Sequence, residues 1–218
     1  MSSTRQLLPR DARRAQILRA AAATFALEGY AATSVDDVAK TAGITKLIVY
    51  RHFESKADLY REILEETSER LVYEWVAKTD SGHEQGAAIA TLLAVARELP
   101  DGFRLLFVHA SRESDFEEFA LDFRALQVAA ADRLLERLLL QGPIRAWLTQ
   151  LTIDILVASV LRWMEVGDPA ADEEWSKLAT DGVRTMIAAA VGSSPDAIAA
   201  AVSSPAVEPQ LQAVPAHR

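Results

Sequence analysis

The chain has 218 residues, half of them apolar, which is enough for a small and a larger helical domain around buried cores and excludes a disordered tail as a description of the whole. With no cysteine there is no disulfide framework or thiolate metal site, and the four histidines, His52, His83, His109 and His217, lack the paired helical spacing of a zinc site, so no metal and no cofactor is expected. The formal charge of −8 is uneven: residues 1–61 carry 10 Lys and Arg against 6 Asp and Glu, residues 62–218 carry 13 against 25, and only the first segment suits a polyanion.

Helical periodicity dominates and no clean period-two alternation is found, so an all-α fold is expected. The first helix is predicted over Arg10 to Leu27, with Ile17, Ala21 and Phe25 at four-residue steps and Gly29 closing it. The second starts after Thr33-Ser34 and presents Val35, Val38, Ala39 and Ala42 on one face. A turn, Gly43-Ile44-Thr45, leads to a short third helix, Lys46 to Phe53, with Val49 and Phe53 inward. Ser55 caps a fourth helix whose Leu59, Ile63, Thr67, Leu71 and Trp75 share a face, and which passes from the first domain into the second.

Residues 78–86 read as a loop, followed by helices over Ala87 to Glu98, Phe103 to Arg112, Phe116 to Leu140, Ile144 to Val166 and Ala171 to Val191. The expected domains are 10–61 and 62–192, with 193–218 a flexible tail apart from a helical turn near Asp196 to Val202. The apolar run from Leu148 to Leu161 is broken by Asp154, and Met1 to Arg10 has no apolar centre. Neither a membrane span nor a signal peptide is therefore expected, and a cytoplasmic location is.

Two short helices crossed over a tight turn can place the second in a DNA major groove while the first crosses the backbone. Residues 34–53 supply that unit, with Gly43 able to take a positive φ, Thr45 able to cap the third helix, and Val38, Ala39, Val49 and Phe53 able to lock the pair. Lys46, Leu47, Ile48, Tyr50 and Arg51 are then directed outward.

The ordered blocks Ala31 to Ala39, Ala42 to Thr45 and Val49 to Leu59 resemble the TetR family of bacterial regulators. The resemblance covers residues 10–64 and implies a three-helix helix-turn-helix domain joined to a C-terminal helical domain for ligand binding and dimerisation. It implies phosphate contacts from Tyr50, Lys56 and either Thr33 or Ser34, with Thr45 and Lys46 at the groove entrance. Lys56 at a helix N-terminus suits a phosphate electrostatically. Positions 47 and 48 depart from the small or hydroxyl residues usual in the family. Leu47 and Ile48 can meet only thymine methyl groups, which leaves Lys46 and Arg51 as the polar readers.

In the second domain the helix Ile144 to Val166 is apolar nearly all round, and the helix Ala171 to Val191 aligns small and apolar residues. Leu156, Val160 and Trp163 with Trp175, Leu178, Ala179, Gly182, Val183 and Met186 are the expected interface of a homodimer, as the resemblance also implies. Such a dimer suits a pseudo-palindromic double-stranded operator. Phe103, Phe107, His109, Phe116, Phe119, Phe123 and Trp147 are the expected lining of a pocket for a small, largely apolar effector, although phenylalanine at helical spacing is more often plain core.

The function expected is a transcriptional regulator, by first choice a repressor released from its operator by that effector. The alternative is a helical protein-interaction module that binds no operator. No phosphate loop, nucleophile elbow or metal-ligand spacing supports an enzyme.

Overall fold

The computed structural model describes residues 9–80, 86–136 and 142–202, and among these the regular structure is entirely helical. Helix α1 (Arg10–Glu28) buries Ile17, Ala21 and Phe25. Helix α2 (Val35–Thr41) starts from a capping box: the Asp37 amide donates to Ser34 Oγ at 3.3 Å, while the Ser34 amide donates to Asp37 Oδ2 at 3.1 Å. Gly43 takes φ +66, and the amides of Gly43 and Ile44 return to the carbonyls of Lys40 and Ala39. Helix α3 (Lys46–Tyr50) follows and is shorter than its expected span, because Arg51 and His52 form a turn that leads Phe53 into the core.

Helix α4 (Lys56–Asp80) opens with a second reciprocal cap, the Asp58 amide donating to Ser55 Oγ and the Glu54 amide to Asp58 Oδ2. At 25 residues it is about 37 Å long. It serves both halves: Leu59 and Ile63 complete the N-terminal core, and Leu71 faces the C-terminal helices.

Helix α5 (Ala87–Glu98) packs between α4 and α8 (Gly142–Val166). Helix α6 (Pro100–Arg104) begins at the Pro100-Asp101-Gly102 tripeptide that reads as a break, since proline is well suited to a first helical turn. Only glycine permits its approach to α4, because a Cβ at Gly102 would run into Thr67 Oγ1. The expected helix to Arg112 continues as a π-helical turn, Leu105–His109, and a 3-10 turn, Ala110–Arg112.

Helix α7 (Glu117–Glu136) pairs with α8 through Arg124 to Asp154 at 2.8 Å and Arg145 to Asp132 at 3.0 Å. The expected extension of α7 to Leu140 lies outside the described residues, as do residues 81–85 of the expected loop. Helix α8 is long and apolar enough to cross a membrane, yet it places Leu148, Ile153 and Val160 in the core beneath its neighbours. Helix α9 (Asp172–Val191) runs back along it. The Trp163 and Trp175 rings stack at 5.1 Å at one end, and Leu148, Ile187 and Ala188 cluster at the other.

Asp172 ties three helices together: Arg97 of α5 donates two bonds to it, at 2.7 and 2.9 Å, and Trp163 Nε1 of α8 donates at 2.6 Å. Helix α10 (Pro195–Val202) buries Ile198 against α9, so the first part of the expected tail is ordered structure. Residues 203–218 lie outside the described residues.

Candidate nucleic-acid interface and ligand cavity

The crossing of α2 and α3 is held from beneath by Val38, Val49 and Phe53, all at most 2% exposed. Above this base the outward face carries Thr45, Lys46, Leu47, Tyr50 and Arg51, with Ile48 half-buried beside them. Thr45 sits at the N-cap of α3 in extended backbone, but its hydroxyl makes no capping bond. Leu47 is 63% exposed and Tyr50 47%, a large apolar surface for so short a helix. Lys46 reaches back to Asp36 of α2 at 2.7 Å, and that partnership raises its pKa. The Ser34 hydroxyl, then the Lys40 ammonium, hold the exposed Asp37 carboxyl down at about 2, which keeps the cap ionised at any pH where the protein would act.

Two expected phosphate ligands are placed otherwise. Thr33 is 2% exposed and returns its hydroxyl to the Gly29 carbonyl at 2.8 Å, so of the pair only Ser34 lies at the surface. Lys56 donates to the carbonyls of Tyr30 and Thr33 at 2.8 and 3.1 Å and lies 4.2 Å over the Tyr30 ring. It closes the loop before α2 onto the start of α4, with one ammonium N–H left for an outside acceptor.

Arg14, part of the basic N-terminal run, is also committed. It donates to the His52 carbonyl, pairs with Glu62 and covers the Phe53 ring at 4.5 Å, joining α1, the end of α3 and α4. The His52 ring leaves Nδ1 buried without a partner, and burial, followed by Arg10, Arg14 and Arg13, lowers its pKa.

A second feature lies in the C-terminal half. Helices α4, α5, α7 and α8 line a partly open cavity of about 170 Å³, walled among others by Leu71, Trp75, Thr91, Leu92, Phe123, Gln127, Leu134, Ile153 and Leu156. Phe123 is the one residue of the expected aromatic set on its wall. Phe116 instead packs against Tyr60 at 4.4 Å and Tyr30 at 5.1 Å, joining the two domains, and Phe103 and Phe107 pack on each other at 4.6 Å with tilted rings, away from this cavity. Phe119 packs on the same core, His109 is half-buried beyond the cavity wall, and Trp147 faces outward, 59% exposed.

Of the expected interface residues, Val160 is fully buried within the protomer and Leu156 lines the cavity, because α8 turns those positions towards α5 and α7. Trp163 and Trp175 are half-buried against each other, and Ala179, Val183 and Met186 face inward. Leu178, 71% exposed, and Gly182 stay open on α9. Thr91 and Asp172 were not among the expected site residues. Thr91 had a signal, being the one polar residue between Ala87 and Ala96, whereas nothing local marks Asp172 as a junction.

Residues 17–63, which hold this crossing and its supports, match the model of bacterial regulatory proteins of the tetR family. Over these residues the chain is similar to the TetR family. The chain is 36% identical over 104 residues to the HTH-type transcriptional activator FasR of Mycolicibacterium smegmatis, covering 46% of this chain and 48% of that protein. The chain thus spans about half the length of the curated relatives it matches. The whole fold is similar to a TetR-like transcriptional regulator from Rhodococcus sp. RHA1, with TM-score 0.69 and 20% identity over 84% of this chain and 99% of that one. It is also similar to the SmeT-triclosan complex, with TM-score 0.60 and 20% identity over 82% and 91%. TetR-type architecture, an N-terminal helix-turn-helix domain followed by a helical domain, is therefore the fold of this protein.

Proposed function

We propose that the protein is a cytoplasmic, homodimeric transcriptional repressor. In this reading residues 10–61 read a pseudo-palindromic DNA operator, and residues 62–192 bind a small, largely apolar effector and the second copy. The observation that carries the reading is the face of α3: Thr45, Lys46, Leu47, Tyr50 and Arg51 stand exposed on a helix locked from below. Tyr50 and Ser34, with the remaining N–H of Lys56, suit phosphates and set register; Arg51 and Lys46 suit base edges, Lys46 by exchanging Asp36 for DNA; Leu47 suits a thymine methyl group.

Support for a dimer comes from exposed stripes on the antiparallel α8 and α9, Trp147 and Ala158 on one, Leu178, Gly182 and Ala189 on the other. Two copies joined there would present two α3 helices to successive major grooves, about 34 to 36 Å apart. Support for the effector is the apolar cavity, one wall of which is α4, the helix that also completes the N-terminal core. A ligand that displaces α4 changes the spacing of the α3 pair, and with it operator affinity. The triclosan complex of a protein of similar fold fits an apolar effector.

Selection of bound sites from random duplexes tests the reading. Enrichment of an inverted repeat is expected, and a reporter placed behind the selected site should rise when the regulator gene is deleted. Failure to enrich any sequence overturns the operator, and an unchanged or falling reporter overturns the repressor's sign.

A further inference from the structure

Thr91 differs from six other helical threonines in what its hydroxyl does. Thr24, Thr67, Thr79, Thr149, Thr152 and Thr185 each return the hydroxyl to the carbonyl four residues back, at 2.7 to 3.0 Å. Thr91, 4% exposed, does not: its Oγ1 is buried with no hydrogen-bond partner, and the residue lies on the wall of the cavity between α4, α5, α7 and α8. A buried hydroxyl without a partner is costly, and that cost disappears when an incoming group supplies the bond.

The rest of the wall restricts what that group can be. None of the described lining residues is charged, and the polar ones besides Thr91 are Trp75, Gln127 and Thr152, the last already bonded to its own helix. An ionised carboxylate, phosphate or ammonium would enter without a counter-ion and lose its hydration. Along α7 the lining runs from Phe123 to Leu134, about 16 Å at 1.5 Å per residue, so the space is longer than a single ring.

We infer that the cavity selects an elongated, uncharged molecule with an apolar body and one neutral hydrogen-bonding group, such as a hydroxyl or carbonyl, that pairs with Thr91 Oγ1. This rests on the reading of the cavity as the effector site and adds the ligand class and the residue that recognises it. Thr91 is the specificity determinant: it separates a neutral polar tail from a plain hydrocarbon, and the uncharged wall separates it from an ion.

The test uses the full-length protein and the fluorescent hydrocarbon diphenylhexatriene, displaced by 1-decanol, decanoate or decylammonium below their micellar concentrations. Decanol is expected to displace the probe at a concentration at least about ten-fold lower than either ion. Thr91→Val should raise the decanol midpoint about five-fold, the worth of one hydrogen bond, while changing probe affinity less than about two-fold, and Thr91→Ser should restore it. Equal or better displacement by either ion overturns the inference, as does a Thr91→Val protein that binds probe and decanol like the parent. If the parent fails to bind the probe, or Ala130→Trp in the cavity wall leaves probe binding intact, the effector site itself is lost and this inference with it.

Discussion

The two halves of the molecule are packed to different ends. Around the helix-turn-helix, Ser34, Asp36, Asp37, Lys46, Lys56 and Arg14 all have partners within the domain, and the crossing of α2 and α3 is held on several sides before any DNA arrives. The C-terminal helices leave an uncharged, unfilled space between α4, α5, α7 and α8, with the Thr91 hydroxyl on its wall. A reading surface gains from being rigid, since ordering it on binding would subtract from affinity. A sensor gains from an incomplete core, because a ligand that completes it shifts the balance between helix arrangements.

Breaking the join between the halves should have the largest effect. Phe116→Ala removes the ring that touches Tyr60 and Tyr30 and should lower unfolding free energy by about 3 to 5 kcal/mol in urea titration. A loss below about 1 kcal/mol would mean that the aromatic cluster does not couple the domains. Next come the local devices of the reading unit. Ser34→Ala, which removes the α2 cap, and Gly43→Ala, which places a Cβ at φ +66 with open space around it, should each cost about 1 kcal/mol. Their unfolding midpoints should fall while those of equally exposed positions on α9 stay put.

These local devices were legible in the sequence for a physical reason. Ser34 as a cap, Gly43 as a turn, and Val49 with Phe53 all act within a few residues, so spacing alone displays them. The cavity is different. Leu71, Thr91, Phe123 and Ile153 come from four helices, each about 20 to 30 residues from the next, and nothing in helical periodicity tells a wall facing a void from a wall facing a side chain. Phe103 of α6, Phe107 of the following π-helical turn and Phe123 of α7 do cluster, Phe103 with Phe107 and Phe107 with Phe123, but only Phe123 reaches the cavity between α4, α5, α7 and α8. Lys46 and Lys56 stood out in the sequence as cations of the helix-turn-helix, while their partners Asp36 and Tyr30 did not, since those pairings depend on the tertiary crossing.

Smaller effects sharpen the contrast. Without ligand, Thr91→Val should raise Tm by about 2 °C, because a methyl group replaces a hydroxyl that has no partner, whereas Thr67→Val, which removes a bonded hydroxyl, should not. The pH profile should carry a slight slope from His52. Its folded pKa lies below the unfolded value of about 6.5, so the unfolded chain takes up a proton first, and stability present above that value declines as pH falls through it. His52→Phe should reduce that slope between about pH 7 and 5, read from urea midpoints, while His109, whose pKa burial also lowers, keeps its own share.

The central claim is that α3, braced by α2, α1 and α4, is a surface for duplex DNA. Affinity for the selected operator, measured by fluorescence anisotropy against salt concentration, tests it most directly. The slope of log K against log salt should be steep, about −0.9 for each phosphate engaged. Tyr50→Phe, if Tyr50 binds a phosphate, should weaken binding while leaving urea stability unchanged, and Arg51→Ala should relax sequence preference. Binding that ignores salt, or that survives both substitutions undiminished, would contradict the account.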